Sequence, residues 1–121
     1  MVKKPQQGDI IWLDFEPHSG HETGGHNPNK NNIRRPCLVV SATEYNETTP
    51  LVQVIPVTST VRENDPFRQQ IVDPRLGIKG MLLFQQLHGF DFQSRHGEIV
   101  GQANSKLVRL TLEAVKDIFN F

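Results

Sequence analysis

The hydrophobic residues of this chain fall into short runs, and residues that break regular structure bound each run. Residues 10–15 follow Gly8 and end before Pro17, which predicts a strand with a breaker on each side. Residues 36–41 form a continuous apolar run, so we expect a central strand that is buried on both faces. Residues 43–50 are polar and predict a turn or a single helical turn.

Further short runs predict more strands. Residues 51–59 have the composition of a strand in which Pro56 indicates an edge position or a bulge, because proline donates no hydrogen bond to a neighbouring strand. Residues 67–72 and 80–87 are typical of two further strands. The last candidates are short, at residues 89–93 and 98–100.

The pattern changes to a helical period near the end of the chain. Apolar residues at spacings of three and four predict a helix packed against the rest of the protein, with Thr111 as its N-cap. These residues are Leu107, Leu110, Leu112, Val115, Ile118 and Phe119. Many short strands followed by one closing helix predict a mainly β fold, a small and partly open β-barrel of the SH3-like type.

One long segment interrupts this pattern. Residues 17–34 are rich in glycine and asparagine and hold almost nothing apolar, so we expect a long loop within a single domain of residues 1–121. Its histidines, His18, His21 and His26, could join Glu22 as metal ligands. Their spacing matches no common metal site and no cysteine joins them. For His18 and His26, exposed loop histidines are therefore the better interpretation, and we expect neither a metal nor a cofactor.

Composition and charge narrow the classes of function. The 121 residues carry 13 basic and 13 acidic side chains, and this balance argues against binding nucleic acid or membrane through bulk charge. No apolar run is long enough for a transmembrane helix, and residues 1–9 do not resemble a secretion signal. Cys37 has no second cysteine with which to form a disulfide. We therefore expect a cytoplasmic domain.

Two strand ends carry the residue types of a phosphate site. Arg34 and Arg35 precede one buried strand, and the hydroxyl residues 58–60 end another. Arginine binds phosphate oxygens in a fork, hydroxyl groups donate to the same oxygens, and His21 or Glu22 could move a proton. The alternative is a solvated pair of arginines beside ordinary polar strand ends. The residue types alone favour this second interpretation.

Several motifs, taken in order along the chain, resemble those of the MazF/PemK family, the toxin ribonucleases of bacterial type II toxin–antitoxin pairs. They are Gly8-Asp9-Ile10-Ile11-Trp12-Leu13-Asp14-Phe15-Glu16-Pro17, Gly20-His21-Glu22, Arg35-Pro36-Cys37-Leu38-Val39-Val40-Ser41, Tyr45-Asn46 and Val54-Ile55-Pro56-Val57-Thr58-Ser59. The match is best over the first half of the chain and continues more loosely through residues 80–95 and the last helix.

The resemblance implies an SH3-like barrel with a C-terminal helix, a homodimer, and metal-free cleavage of single-stranded RNA through attack by the ribose 2′-OH. It implies that Arg35 lies at the scissile phosphate, that Thr58 assists it, and that His21 and Glu22 supply polar groups from the first loop. The products would carry a 2′,3′-cyclic phosphate and a 5′-OH. We expect further RNA contacts from Lys30, Arg34, Ser59, Gln85, Gln86 and His88.

Two segments depart from the family pattern. Residues 26–33 look like an insertion in the first loop. The pair Gln85-Gln86 stands where PemK-like members typically carry an acidic residue before a glutamine. If that acid were the base, then His21, Glu22 or His88 would have to replace it. His21 is preferred because a histidine ordinarily titrates near neutral pH.

The resemblance also implies an antitoxin whose disordered acidic tail binds the groove of Lys30, Arg34 and Arg35. Between His21 and Pro36, three basic residues stand against one acidic residue, a local charge of +2. Two other functions stay open. One is a non-catalytic SH3-like module that binds a peptide or a nucleic acid, and the other is a small metal-dependent hydrolase that uses the three loop histidines.

Overall fold

The computed structural model describes residues 3–15 and 34–120. These two segments contain seven strands, two α-helices and two short 3-10 helices. The strands are β1 (Asp9–Asp14), β2 (Arg34–Val39), β3 (Leu51–Thr58), β4 (Arg68–Asp73), β5 (Ile78–Leu83), β6 (His88–Asp91) and β7 (Glu98–Gln102). The α-helices are α1 (Thr43–Thr48) and α2 (Ser105–Phe119), and the 3-10 helices are Pro74–Leu76 and Phe84–Gln86.

The strands form one curled antiparallel sheet. Its order is β4-β5-β3-β2-β1-β7, and β6 pairs with the first half of β3. The resulting half-barrel, followed by α2, confirms the predicted mainly β fold with a closing helix. Within the described residues, no helix is long and apolar enough to cross a membrane.

Alternation along the strands builds a hydrophobic cluster on each side of the sheet. The side that α2 covers, here called the helix face, includes Ile10, Leu38, Ile55, Leu82 and Leu107 of α2. The other side, here called the second face, includes Ile11, Leu13, Cys37, Val54 and Phe90. Because β2 contributes to both clusters and lies between β1 and β3, the prediction of a central strand buried on both faces is confirmed.

Pro56 lies inside the sheet, so the prediction of an edge strand at residues 51–59 is wrong. β3 pairs with β2 on one side. On its other side it pairs with β6 as far as Val54 and with β5 from Val57 onward. Pro56 therefore occupies the break at which the neighbour of β3 changes, where a missing N–H is tolerated.

The start of α2 also differs from the prediction. Its N-cap is Asn104, whose Oδ1 accepts a hydrogen bond from the backbone N–H of Leu107 at 2.8 Å. Thr111, the predicted N-cap, is fully buried inside the helix, and its hydroxyl donates to the carbonyl of Leu107 at 2.8 Å. A helix that already begins before the apolar stripe needs no cap within it. Part of the stripe is exposed rather than packed, namely Leu110, Ile118 and Phe119.

The strand predicted for residues 80–87 ends early. β5 stops at Leu83, and a 3-10 helix follows at Phe84–Gln86. Phe84, the first residue of this 3-10 helix, is buried against the helix face. Gln85 and Gln86 therefore lie on a turn and not on a strand as predicted.

Candidate active site where β2 begins and β3 ends

Arg35 and Thr58 stand opposite each other at one end of the sheet. The pairing of β2 with β3 places Cys37 opposite Pro56, and the same register continued by two residues brings Arg35 opposite Thr58. Because side chains alternate along a strand, both residues belong to the second face, the side to which Cys37 contributes. The register therefore places the two residues that the phosphate hypothesis required on neighbouring strand ends.

The proline that follows Arg35 fixes the arginine side chain. Val40 donates its N–H to the carbonyl of Gln53 at 3.0 Å, and such bonded pairs recur every second residue of an antiparallel ladder, so Pro36 and Val57 form the last one. Pro36 has no N–H to donate. Nη1 of Arg35 donates to the carbonyl of Val57 instead, at 3.2 Å. The guanidinium is thereby held across the end of β3.

The residue at position 80 is a glycine because β5 passes close to this strand end. Thr58 lies opposite Met81, and a Cβ atom added to Gly80 would lie 2.2 Å from the carbonyl oxygen of Thr58. Any side chain there would push β5 away and displace Thr58. Oγ1 of Thr58 accepts from the N–H of Thr60 at 3.2 Å, and this leaves the hydroxyl able to donate its own proton to another group.

Arg34 points to the opposite side and binds an acid. It pairs with Asp14 of β1, and its Nη1 lies 2.9 Å from Oδ1 of that carboxylate. Nδ1 of His96 lies 2.6 Å from the second oxygen, Oδ2. Burial raises the pKa of Asp14, but the hydrogen bonds and charges of His96 and Arg34 outweigh burial and hold that pKa below its ordinary value. Asp14 is therefore a carboxylate that neutralises Arg34.

A cavity of about 190 Å³ lies beside the two arginines. Its walls include Trp12, Arg34, Arg35, Ser59 and Lys79. Ser59 is exposed and, one residue beyond Thr58, alternates to the side of Arg34. The structure thus divides the four predicted residues into two pairs, Arg35 with Thr58 and Arg34 with Ser59, with the cavity next to both arginines.

Two other residues predicted to contact RNA, His88 and Gln85, belong to segments beyond β5. His88 lies opposite Val54, four residues from Thr58 along β3, which is about 13 Å at roughly 3.3 Å per residue. Its ring stacks on Phe90 with 4.6 Å between the ring centroids, and the guanidinium of Arg95 lies 5.1 Å from the same Phe90 ring. Gln85 is exposed on the 3-10 helix before β6.

The predicted residues of the first loop lie outside the described residues. These are His21, Glu22 and Lys30, together with His18 and His26 of the metal interpretation and the whole segment 26–33. Within residues 3–15 and 34–120, no three His, Cys, Asp or Glu side chains are grouped closely enough to hold a metal ion. The roles of the loop histidines as base or as ligands stay predictions.

Asp14, Lys79 and His96 lie near the candidate site and were missed by the sequence analysis. Asp14 could have been found, because it is the polar residue that ends β1 just as Arg34 begins β2. Lys79 and His96 carry no such signal, since only folding brings their segments to the arginines. His96 also has a φ of 55°, in the left-handed region that residues other than glycine rarely adopt.

Comparisons with known proteins agree on one family. The family model described as "PemK-like, MazF-like toxin of type II toxin-antitoxin system" matches residues 6–119. The endoribonuclease toxin MazF of Escherichia coli strain K12 is 38% identical over 91 residues, which are 75% of this chain and 72% of that protein. The crystal structure of MazF from Deinococcus radiodurans is 31% identical with a TM-score of 0.84, over 99% of this chain and all of that one.

A second solved structure includes a partner protein. The MazE–MazF crystal structure from Deinococcus radiodurans is 30% identical with a TM-score of 0.76, and the match covers 97% of both chains. Arg35, Pro36 and Thr58 all lie within the residues that the family model matches.

Proposed function

Because this chain belongs to the PemK-like, MazF-like toxins of type II toxin–antitoxin systems, we propose that it cleaves single-stranded RNA at the Arg35–Thr58 pair. Its relatives are endoribonuclease toxins, so the bond that it breaks is an RNA phosphodiester. The observation that carries the choice of site is the guanidinium of Arg35, held by the carbonyl of Val57 opposite the hydroxyl of Thr58.

The reaction uses a nucleophile that the substrate already carries. The ribose 2′-oxygen attacks the adjacent phosphorus while its proton passes to a base. The bond between phosphorus and the 5′-oxygen then breaks, and that oxygen takes up a proton. A 2′,3′-cyclic phosphate and a 5′-OH result. Because nucleophile and phosphorus belong to one molecule, little entropy is lost on reaching the transition state. DNA lacks the 2′-OH and is not cut.

Arg35 and Thr58 stabilise the charge that develops on the phosphorane oxygens. The guanidinium is charged at every working pH, and its planar fork matches two oxygens of a phosphate. The hydroxyl of Thr58 donates a hydrogen bond to the same group. Donors that are already fixed by strand pairing need no reorganisation as the charge forms, and this is the main source of their effect.

The base is placed in the first loop, with His21 preferred and Glu22 next. Histidine ordinarily has a pKa of about 6.5, so it needs no special environment to accept a proton near neutral pH. His88 is the weaker candidate because its ring stacks on Phe90. It also lies opposite Val54, and Val54 is about 13 Å from Thr58 along β3 at roughly 3.3 Å per residue.

A cleavage assay in EDTA tests this function. We expect the purified protein to cut a long single-stranded RNA into fragments with cyclic phosphate and 5′-OH ends, and to leave the DNA of the same sequence intact. Intact RNA with a folded protein would favour a non-catalytic binding module. Cleavage that EDTA stops would favour the metal-dependent hydrolase that uses the loop histidines.

The proposed RNA site around Arg35 is also the proposed binding site of an antitoxin. A relative with 30% identity is solved together with MazE, and an acidic tail would complement Lys30 and Arg35. RNA and tail would then compete, which titration calorimetry with and without saturating uncleavable RNA can measure; undiminished affinity would place the tail elsewhere. We expect a homodimer in light scattering, as the family resemblance implies, and a single cytoplasmic domain over residues 1–121, as the length and composition of the chain indicate.

A further inference from the structure

The cavity beside Arg35 has the dimensions of a pocket for a single nucleobase. Its volume is about 190 Å³, and residues of β1, β2, β3 and β5 line it. Such a space accepts one flat ring system but not a folded peptide segment. The cavity also opens next to the arginine that we propose at the scissile phosphate, so the base that it holds would belong to a neighbouring nucleotide of the same strand.

The walls of the cavity combine an aromatic ring with an aliphatic floor. Trp12 is half-buried on β1 and lines one side, and Pro36 and Ile78 line others. Bases of single-stranded nucleic acids bind to proteins by stacking on aromatic side chains, because every base has a π-face. The hydroxyl of Ser59 adds a polar group at the rim that can form a hydrogen bond to a base edge or to a ribose.

The charged side chains at the cavity are all cations. Arg34, Arg35 and Lys79 line it, and no described acidic residue does. Asp14 lies behind Arg34 at 2.9 Å, so Arg34 forms a fixed wall and adds little net charge. Lys79 is exposed, and none of the ion pairs found among the described residues includes it. Lys79 is therefore the cation best suited to bind a phosphate next to the pocket.

We infer that this cavity is a nucleotide subsite of the single-stranded RNA substrate, in which Trp12 contacts the base and Lys79 contacts a flanking phosphate. The inference rests on the proposed function and deepens it, since it assigns a specificity-determining pocket next to the reacting phosphate. Trp12 and Lys79 act on binding and not on the bond that breaks.

Trp12 is the only tryptophan of the chain, so its fluorescence reports directly on the pocket. The probe is a short 2′-O-methyl RNA, which the protein cannot cleave because the nucleophile is blocked. We expect the probe to quench Trp12 fluorescence, and an oligomer with an abasic site at the pocket position to bind with less quenching. Binding by fluorescence anisotropy of a labelled probe without any change in Trp12 emission would overturn the inference.

The charge contact is tested with Lys79→Gln, and Lys106→Gln is the matched control because Lys106 is an exposed lysine on α2. Lys79→Gln should weaken probe binding several-fold and reduce the slope of log affinity against log salt by about 0.7. Lys106→Gln should change neither value. Equal effects of the two variants would remove Lys79 from the subsite. If wild-type protein cleaves RNA normally while these tests fail, only the subsite is wrong; if it cleaves no RNA, the proposed function itself fails.

Discussion

Two neighbouring arginines of β2 lie on opposite faces of the sheet and have different partners. On the helix-face side, Arg34 is bound by Asp14, and its charge is balanced within the protein. On the second face, the next residue, Arg35, donates from Nη1 to the carbonyl of Val57 and lies opposite Thr58 at the end of β3. A shift of one position along a strand therefore separates an arginine that stabilises the fold from one that we place at the phosphate. The side of the sheet on which each arginine lies, and not its residue type, makes the difference.

The largest effect should come from removing the charge on the second face. Arg35→Ala should lower the single-turnover rate of RNA cleavage by about 10² to 10³, because a donor aimed at the transition state is lost. Arg34→Ala, the matched variant on the opposite side, should lower it only a few-fold. Equal losses in both variants would erase the distinction between the faces. Circular dichroism checks that each variant is folded.

Removing the N-cap of α2 should lower the stability of the protein and leave the rate of RNA cleavage unchanged, the opposite of the result expected for Arg35→Ala. Asn104→Ala leaves the N–H of Leu107 without its side-chain acceptor and should lower the free energy of unfolding by about 1 kcal/mol. Urea denaturation measures this loss. Asn104→Asp retains an acceptor and serves as the control. A slower cleavage rate in folded Asn104→Ala protein would show that the helix face contributes to the site.

Restoring an N–H at position 36 tests how Arg35 is held. In Pro36→Ala, the new N–H can donate to the carbonyl of Val57 and compete with the guanidinium of Arg35. We expect cleavage to fall a few-fold while stability is kept. The control is Pro56→Ala, since that N–H would point toward the break between β5 and β6. Full activity in Pro36→Ala would mean that the proline does not position Arg35.

The smallest effect concerns the stability that the Arg34–Asp14 ion pair contributes at low pH. The pKa of Asp14 is lower in the folded protein than its ordinary value of about 3.9, so its stabilising effect is present above that pH and is lost as pH falls through the folded-state pKa. The difference in urea midpoint between the wild type and Asp14→Asn should therefore shrink as the pH falls below about 4. Asp117→Asn, an exposed change on α2, is the control; an unchanged difference at low pH would contradict the role of Asp14.

Local patterns were sufficient for most of the elements. Apolar runs between breakers located the strands to within a few residues, and the change to a helical period located α2. The errors have a common cause. Pro56, Thr111 and Gln85 were interpreted by what their residue types prefer locally, whereas their positions depend on a change of strand neighbour, an earlier helix cap and the burial of Phe84.

The sequence by itself indicated the family, the order of elements and the two residues that we propose at the phosphate, Arg35 and Thr58, because motifs and periodicity are local properties of a chain. Only the tertiary structure decided which side each arginine takes, since that depends on the register of β2 against both β1 and β3. It alone brought Asp14, Lys79 and His96 to the arginines. These contacts join segments up to 82 residues apart, and no local pattern encodes such a distance.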